Sequence, residues 1–202
     1  MKKSILCSSV ALVCALGLSA CGGNDDGQLQ LVVGLSGVTK TGLTISNKGE
    51  AAVEVPAGSA YVFKELVPLD SDYDIKIVTK PTNTDSCEVL NGKGNTGSYT
   101  PTNIYVRCVV TTFALGGTVS GLTGGDLVIN NGAQSVTIAK GATTFTMSRP
   151  TEAAPKLGQV PEGVPYGLTI LQQPASGTCT IANPNGIMPA AAVNNIAISC
   201  TP

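Results

Sequence analysis

The chain contains neither histidine nor tryptophan, and the two absences exclude different things. Without an imidazole, no Ser-His or Cys-His nucleophile can be assembled, and no S-x-x-K or G-x-S-x-G stretch stands in for one. A carboxylate pair of the glycosidase kind needs no histidine, but sugar sites favour aromatic platforms, and three Phe and five Tyr in 202 residues leave few. The expectation is a protein that is not an enzyme and needs no cofactor. Charge is scarce as well: Asp, Glu, Lys and Arg make up 12% of the chain, about half the usual share. Beyond Lys2 and Lys3 the basic residues stand singly, so no cluster exists to displace counterions from phosphates, and nucleic acid is excluded as a partner. Helical periodicity is also missing.

What is present is aliphatic and turn-rich. Hydrophobic residues make up 43% of the chain, with 24 Gly and 12 Pro, a composition suited to short strands packed through Val, Ile, Leu and Ala.

The amino terminus carries an address. Met1-Lys2-Lys3 is a positive start, Ile5 to Leu18 an apolar run, and Leu18-Ser19-Ala20 a set of small residues before Cys21. The apolar run of about fourteen residues falls short of the roughly 20 needed to span a bilayer. This segment resembles a bacterial lipoprotein signal peptide, with Leu18-Ser19-Ala20-Cys21 as its lipobox. The resemblance implies cleavage before Cys21 and acyl chains, palmitate among them, on the Cys21 thiol and amine. Cys7 and Cys14 would leave with residues 1–20. Losing Lys2 and Lys3 and acylating the amine would take the formal charge from −1 to about −3, counting side chains (−1 − 2). In Gram-negative lipoproteins an Asp after the modified Cys favours retention at the inner membrane. Gly22 stands there, which implies an outer-membrane lipoprotein whose first partner is the membrane itself. Residues 21–28 are polar and Gly-rich, a tether reaching roughly 15 Å.

The remainder repeats itself. Cys87 to Cys108 reads CEVLNGKGNTGSYTPTNIYVRC, and Cys179 to Cys200 reads CTIANPNGIMPAAAVNNIAISC, aligned without a gap. Asn91 faces Asn183, Gly94 faces Gly186, and Asn103-Ile104 faces Asn195-Ile196. Upstream, Ser36-Gly37 matches Ser120-Gly121, GLTISNKG matches DLVINNG, and YDIKIVTKP from Tyr73 matches YGLTILQQP from Tyr166. Two homologous domains follow, 29–110 and 111–202, the second with an insertion around Ala153 to Glu162. In the second copy 117–122, 127–130, 135–138, 143–147, 166–172, 178–182 and 194–200 read as strands. Asn131-Gly132 predicts a type I′ hairpin turn, with positive φ at both residues.

Some seven short strands per copy predict an all-β fold of two tandem small antiparallel β-sandwiches, immunoglobulin-like or transthyretin-like. The missing Trp departs from the antibody-type pattern. The GGTVSGL…LVINNG…C pattern resembles a β-repeat of proteobacterial surface proteins, which implies a modular extracytoplasmic role and transfers no catalytic residue. Cys87, Cys108, Cys179 and Cys200 form an even set at identical spacing in an exported chain, predicting bridges 87–108 and 179–200. Metal ligation by cysteine would want His or C-x-x-C spacing, and neither is present.

Two further motifs invite chemistry. Gly92-Lys93-Gly94-Asn95-Thr96-Gly97 matches G-x-G-x-x-G, but Pro101 and β-branched residues follow where a dinucleotide site needs a helix, so it reads as a loop between strands. Asp70, Asp72 and Asp74 alternate like the start of a calcium loop. Ile75 stands where the loop needs Gly and Pro81 where it needs a bidentate Glu, leaving them as weak metal candidates only. The join CVVTTFALGG has no Pro or Ser spacer, predicting a stiff connection. The functional expectation is therefore a structural or adhesive envelope lipoprotein that meets a protein or envelope polymer. The alternative is a lipoprotein that binds calcium, a glycan or a small molecule through Asp70 to Asp74 or the 153–162 insertion.

Overall fold

The computed structural model describes residues 27–98, 101, 103–147 and 159–202. Cys21 and most of the 153–162 insertion lie outside the described residues. The first copy runs β1 (Gln28–Ser36), β2 (Leu43–Asn47), β3 (Val53–Val55), β4 (Ala60–Pro68), β5 (Asp72–Thr79), β6 (Thr84–Leu90), β7 (Lys93–Asn95) and β8 (Ile104–Val110). A two-residue strand in the join, β9 (Thr112–Phe113), precedes the second copy. That copy runs β10 (Leu115–Ser120), β11 (Leu127–Asn131), β12 (Gln134–Ile138), β13 (Thr144–Thr146), β14 (Val160–Pro161), β15 (Pro165–Gln172), β16 (Thr178–Ala182), β17 (Asn185–Ile187) and β18 (Val193–Thr201).

Each copy is two four-stranded sheets with the same order. In the first they are β4-β1-β8-β6 and β3-β2-β5-β7, and in the second β13-β10-β18-β16 and β12-β11-β15-β17. Period-two alternation explains how they face each other. Leu31, Val33 and Leu35 of β1 and Ile104 and Val106 of β8 point inward, meeting Leu43, Ile45, Tyr73 and Ile75 from the opposite sheet in one buried cluster. Leu115, Val119, Leu127, Ile129, Leu168, Ile196 and Ile198 make the corresponding second cluster. Pairing is antiparallel except at one place in each copy: the first strand lies parallel to the last, Val33 to Ser36 against Ile104 to Arg107, and Gly117 to Ser120 against Ile196 to Ser199.

The two predicted disulfides are present, Cys87–Cys108 and Cys179–Cys200, each with Cα atoms 4.0 Å apart. In both copies the cysteines are directly opposite on antiparallel neighbours of one sheet, so the bridge staples β6 to β8 and β16 to β18 and does not cross the sandwich. Closing a loop of 21 residues contributes roughly 3 kcal/mol in the chain-entropy view, a useful addition to cores with so few aromatics.

The hairpin at Asn131 forms, but the turn differs from the predicted one. Asn131 pairs with Gln134 as a ladder residue, and the two-residue loop is Gly132-Ala133 with positive φ at Gly132 alone, the type II′ pattern. The cause is a side-chain duty: Asn131 Oδ1 accepts from the Gly167 backbone N–H at 2.9 Å, as Asn47 Oδ1 accepts from Asp74 N–H at 3.0 Å. The type I′ geometry occurs instead in the first copy, at Lys48 and Gly49, with φ 48° and 76°.

Two glycines tie the first strand of each copy to the bridge. Gly37 (φ 74°) and Gly121 (φ 71°) follow β1 and β10, and a Cβ there would stand 2.0 Å from the Cys108 carbonyl oxygen and 2.1 Å from that of Cys200. Gly132 also has positive φ, but faces open space. Gly121→Ala should therefore lower unfolding stability by well over 1 kcal/mol, whereas Gly132→Ala costs about 1 kcal/mol of backbone strain alone. Urea unfolding of the two variants side by side checks this ordering, and equal losses would refute the steric account.

Candidate functional site

The structure disperses the residues that suggested ligand chemistry. Asp70 sits in the turn after β4 with φ 51°. Asp72 Oδ1 accepts from Asn95 Nδ2 at 3.2 Å, and Asp74 pairs with Lys76 at 2.9 Å on the same outward face of β5. Each carboxylate thus has a separate local environment, and among the described residues no group of three or more His, Cys, Asp or Glu side chains could hold an ion. The G-x-G-x-x-G stretch contains the short strand β7, paired with β5 through Tyr73 and Gly94. Gly94 serves packing: a Cβ there would stand 2.7 Å from Tyr73 Oη, and one on Gly186 of the second copy 2.5 Å from Tyr166 Oη. Asn91 and its counterpart Asn183 hold left-handed turns (φ 52° and 55°), with their amides donating to the carbonyls of Asn103 (2.9 Å) and Asn195 (3.5 Å).

The join between the copies is more constructed than its sequence suggests. Thr111 belongs to the first copy: its N–H donates to the Asn83 carbonyl at 2.9 Å and its hydroxyl to Asp85 Oδ1 at 2.7 Å. The next residues belong to the second, because β9 forms an antiparallel ladder with β14, Phe113 opposite Val160 and Thr112 opposite Pro161. Thr112 Oγ1 donates to Gln159 Oε1 at 2.6 Å, and Val160 is buried in the second core with Phe113 packed against it. The end of the insertion then reaches back. The Glu162 N–H donates to the Thr111 carbonyl at 3.0 Å, and the Glu162 carboxylate pairs with Lys40 of the first copy. Lys40 is placed by its own loop, where Thr39 Oγ1 accepts from the buried Asn83 side chain at 2.9 Å.

Composition hides this joint because its partners are 47 and 122 residues apart in the chain. The one available hint is the placement of an acidic residue at the end of the insertion that the first copy lacks. Of that insertion, residues 159–162 are described, and they are engaged with the join and with Lys40.

Reversing one charge of the Lys40–Glu162 pair should loosen the joint without unfolding either sandwich. With spin labels on one surface site of each copy, Glu162→Lys is expected to broaden the distance distribution, and adding Lys40→Glu to narrow it again. A broad distribution in the unsubstituted protein would refute a rigid joint.

No protein-family model and no curated protein matches the chain. Among solved structures it is similar to the shaft pilin SpaA of Lactobacillus rhamnosus GG, as a point mutant at 12% identity and in a second structure at 11%, both with a TM-score of 0.32 over 87% of this chain and 98% of the pilin. It is also similar to the major pilin T-13 of Streptococcus pyogenes, at 12% identity and a TM-score of 0.25 over 86% of this chain and 98% of that one. At such scores the all-β assignment rests on the ladders of this chain itself.

Proposed function

We propose that the chain is an outer-membrane lipoprotein, anchored through acyl chains on Cys21, whose tandem sandwiches act as a spacer and interaction surface at the cell envelope and carry no catalytic activity. The observation that supports it best is the parallel pairing of first and last strands in each copy. Parallel neighbours run the same way, so the chain enters a sandwich at one end and leaves it at the other, and successive copies extend in line instead of folding back. A nine-residue strand such as β1 spans about 30 Å, which sets the length each copy adds. Thr111 is held by the first copy and Thr112 by the second, which leaves no free linker, and the bonds of Glu162 to Thr111 and Lys40 oppose free swinging of the second copy on the first.

Anchoring draws its support from Leu18-Ser19-Ala20-Cys21 and from the short interval to β1 at Gln28, which would keep the base of the first sandwich close to the bilayer. Several acyl chains make such attachment effectively permanent, at about 0.8 kcal/mol per buried methylene. The partner in this reading is a protein or an envelope polymer. The ligand-binding alternative is less favoured, since Asp70, Asp72 and Asp74 do not converge and Glu162 is held by Lys40.

Intact mass analysis of the purified protein should find an amino terminus at Cys21 carrying acyl chains, and Cys21→Ser should release the protein from the membrane fraction. An unmodified Met1 terminus would overturn the anchoring. For the calcium alternative, millimolar calcium or EDTA is expected to leave the melting midpoint unchanged, because only a ligand that binds the folded state raises it.

A further inference from the structure

The two copies share a fold but differ sharply along one side of the sandwich. In the first copy β3 and β4 are the terminal strands of their respective sheets, on the same side of the core. Their outer edges have no sheet partner. Between them lies an open cleft of about 450 Å³.

The cleft is made by an irregularity in β4. Gln30 of β1 pairs with Leu66 and Val32 pairs with Val62, so the single residue Leu31 faces three residues, Phe63 to Glu65. The excess bulges β4 outward, and Gln30 Nε2 donates to the Phe63 carbonyl at 3.2 Å. The floor is apolar: Val53 of β3 with Tyr61 and Phe63, whose rings meet edge to face at 5.3 Å and 77°. The rim is acidic, with Glu50, Glu54 and Glu65 set against the single Lys64, a balance of −2 (three carboxylates less one ammonium). All three carboxylates are on exposed residues, and among the described residues none takes part in an ion pair.

The second copy serves as an internal comparison. There Thr137 stands in place of Glu54, Phe145 and Met147 take the places of Tyr61 and Phe63, and no carboxylate occurs between Asn131 and Ile138. The second copy forms the same two sheets without counterparts of Glu50 and Glu54, so the fold does not require those two carboxylates.

We propose that this cleft docks an extended, basic segment of a partner protein, with an apolar side chain on Tyr61, Phe63 and Val53 and neighbouring Lys or Arg side chains against Glu50, Glu54 and Glu65. An extended backbone suits a slot flanked by two free strand edges, whose unpaired N–H and C=O groups can take up main-chain hydrogen bonds. Cations suit it because the rim carboxylates are exposed and unpaired and outnumber the single Lys64. A segment alternating apolar and basic residues presents the first set to the floor and leaves the second at the rim. This names the partner chemistry for the interaction role proposed above, and it does not depend on Cys21 acylation.

The test uses the full chain in detergent and a fluorescent eight-residue peptide of alternating Val and Lys, with an alternating Val and Glu peptide for comparison. Anisotropy should report binding of the Val-Lys peptide that weakens as salt is raised. The combined variant Glu50→Gln, Glu54→Gln, Glu65→Gln, on exposed positions that leave the melt unchanged, should weaken it about tenfold or more. Amide chemical shifts should move in residues 50–65 and not in the corresponding stretch of the second copy. No binding, equal binding by the Val-Glu peptide, equal binding by the triple variant, or shifts confined elsewhere would each overturn the proposal. So would self-association of the chain that the same three substitutions abolish, since the occupant would then be a second copy. None of these results bears on the anchor or the spacer role.

Discussion

The last strand of each copy is inserted beside the first, in parallel, inside the sheet, and most of the architecture depends on that placement. A strand with neighbours on both edges loses its water-facing hydrogen-bonding groups, so the chain cannot close a copy until β8 or β18 has docked. The docking residues are accordingly aliphatic and in phase, Ile104 and Val106 in one copy and Ile196 and Ile198 in the other, all nearly inaccessible to solvent. The disulfide fastens the other side of the same strand to β6 or β16, and Gly37 or Gly121 lets β1 or β10 end against the carbonyl of the second cysteine. Three devices thus converge on one strand, which is what a pairing of distant chain segments requires, because loop-closure entropy opposes it until the contacts form.

Local signals in the chain encode the repeat and several strands, and distant pairings do not show in it. The repeat was legible because the two 22-residue cysteine frames share Asn91 with Asn183 and Gly94 with Gly186, and each pair has a backbone reason: a left-handed turn, and a glycine lying under a tyrosine ring. Thr178 to Ala182, and Ser135 to Ile138 within β12, are legible because alternation and bounding turn residues are local signals. Strands β7 and β17 were not, since at three residues each they show no period, and their central glycines argue for a loop until the covering tyrosine is seen. Asn131 was misread because an Asn-Gly pair has two possible uses. Its side chain caps Gly167 across the sheet, a contact between residues 36 apart that no local pattern encodes. The parallel pairing and the β9–β14 ladder were hidden for the same reason.

The candidate sites divide along similar lines. Asp70, Asp72 and Asp74 look like one group in sequence because they alternate; Asp72 and Asp74 do share the outward face of β5, but each is engaged by its own neighbour, Asn95 or Lys76, and Asp70 stands outside the strand in a turn. The cleft has the opposite character. Glu50 comes from the β2–β3 connection, Glu54 from β3, and Tyr61, Phe63 and Glu65 from β4 of the other sheet, and they meet where a bulge displaces β4 from its register. A bulge is set by tertiary packing, and nothing in AYVFKELVP announces where the two extra residues will be accommodated.

The divergence between the copies extends from the cleft to the outer face of the neighbouring sheet. In the first copy the Tyr105 ring lies directly over Gly34, and Val62, Leu66, Leu90 and Val109 are also exposed there. In the second copy the matching face is built from Thr118, Ser120, Thr144, Ala197, Ser199 and Thr201. Threonine suits a strand because it is β-branched, and with serine it presents hydroxyls to water on that face. Exposed tyrosine and aliphatic side chains bring no such benefit to a solvated surface and expose apolar area to water. Since both copies close by the same strand pairing and the same bridge, the fold makes no different demand on either. The apolar face and the acidic cleft are therefore features of the first sandwich that the shared fold does not require, whereas the Lys40–Glu162 pair at the joint engages both copies alike.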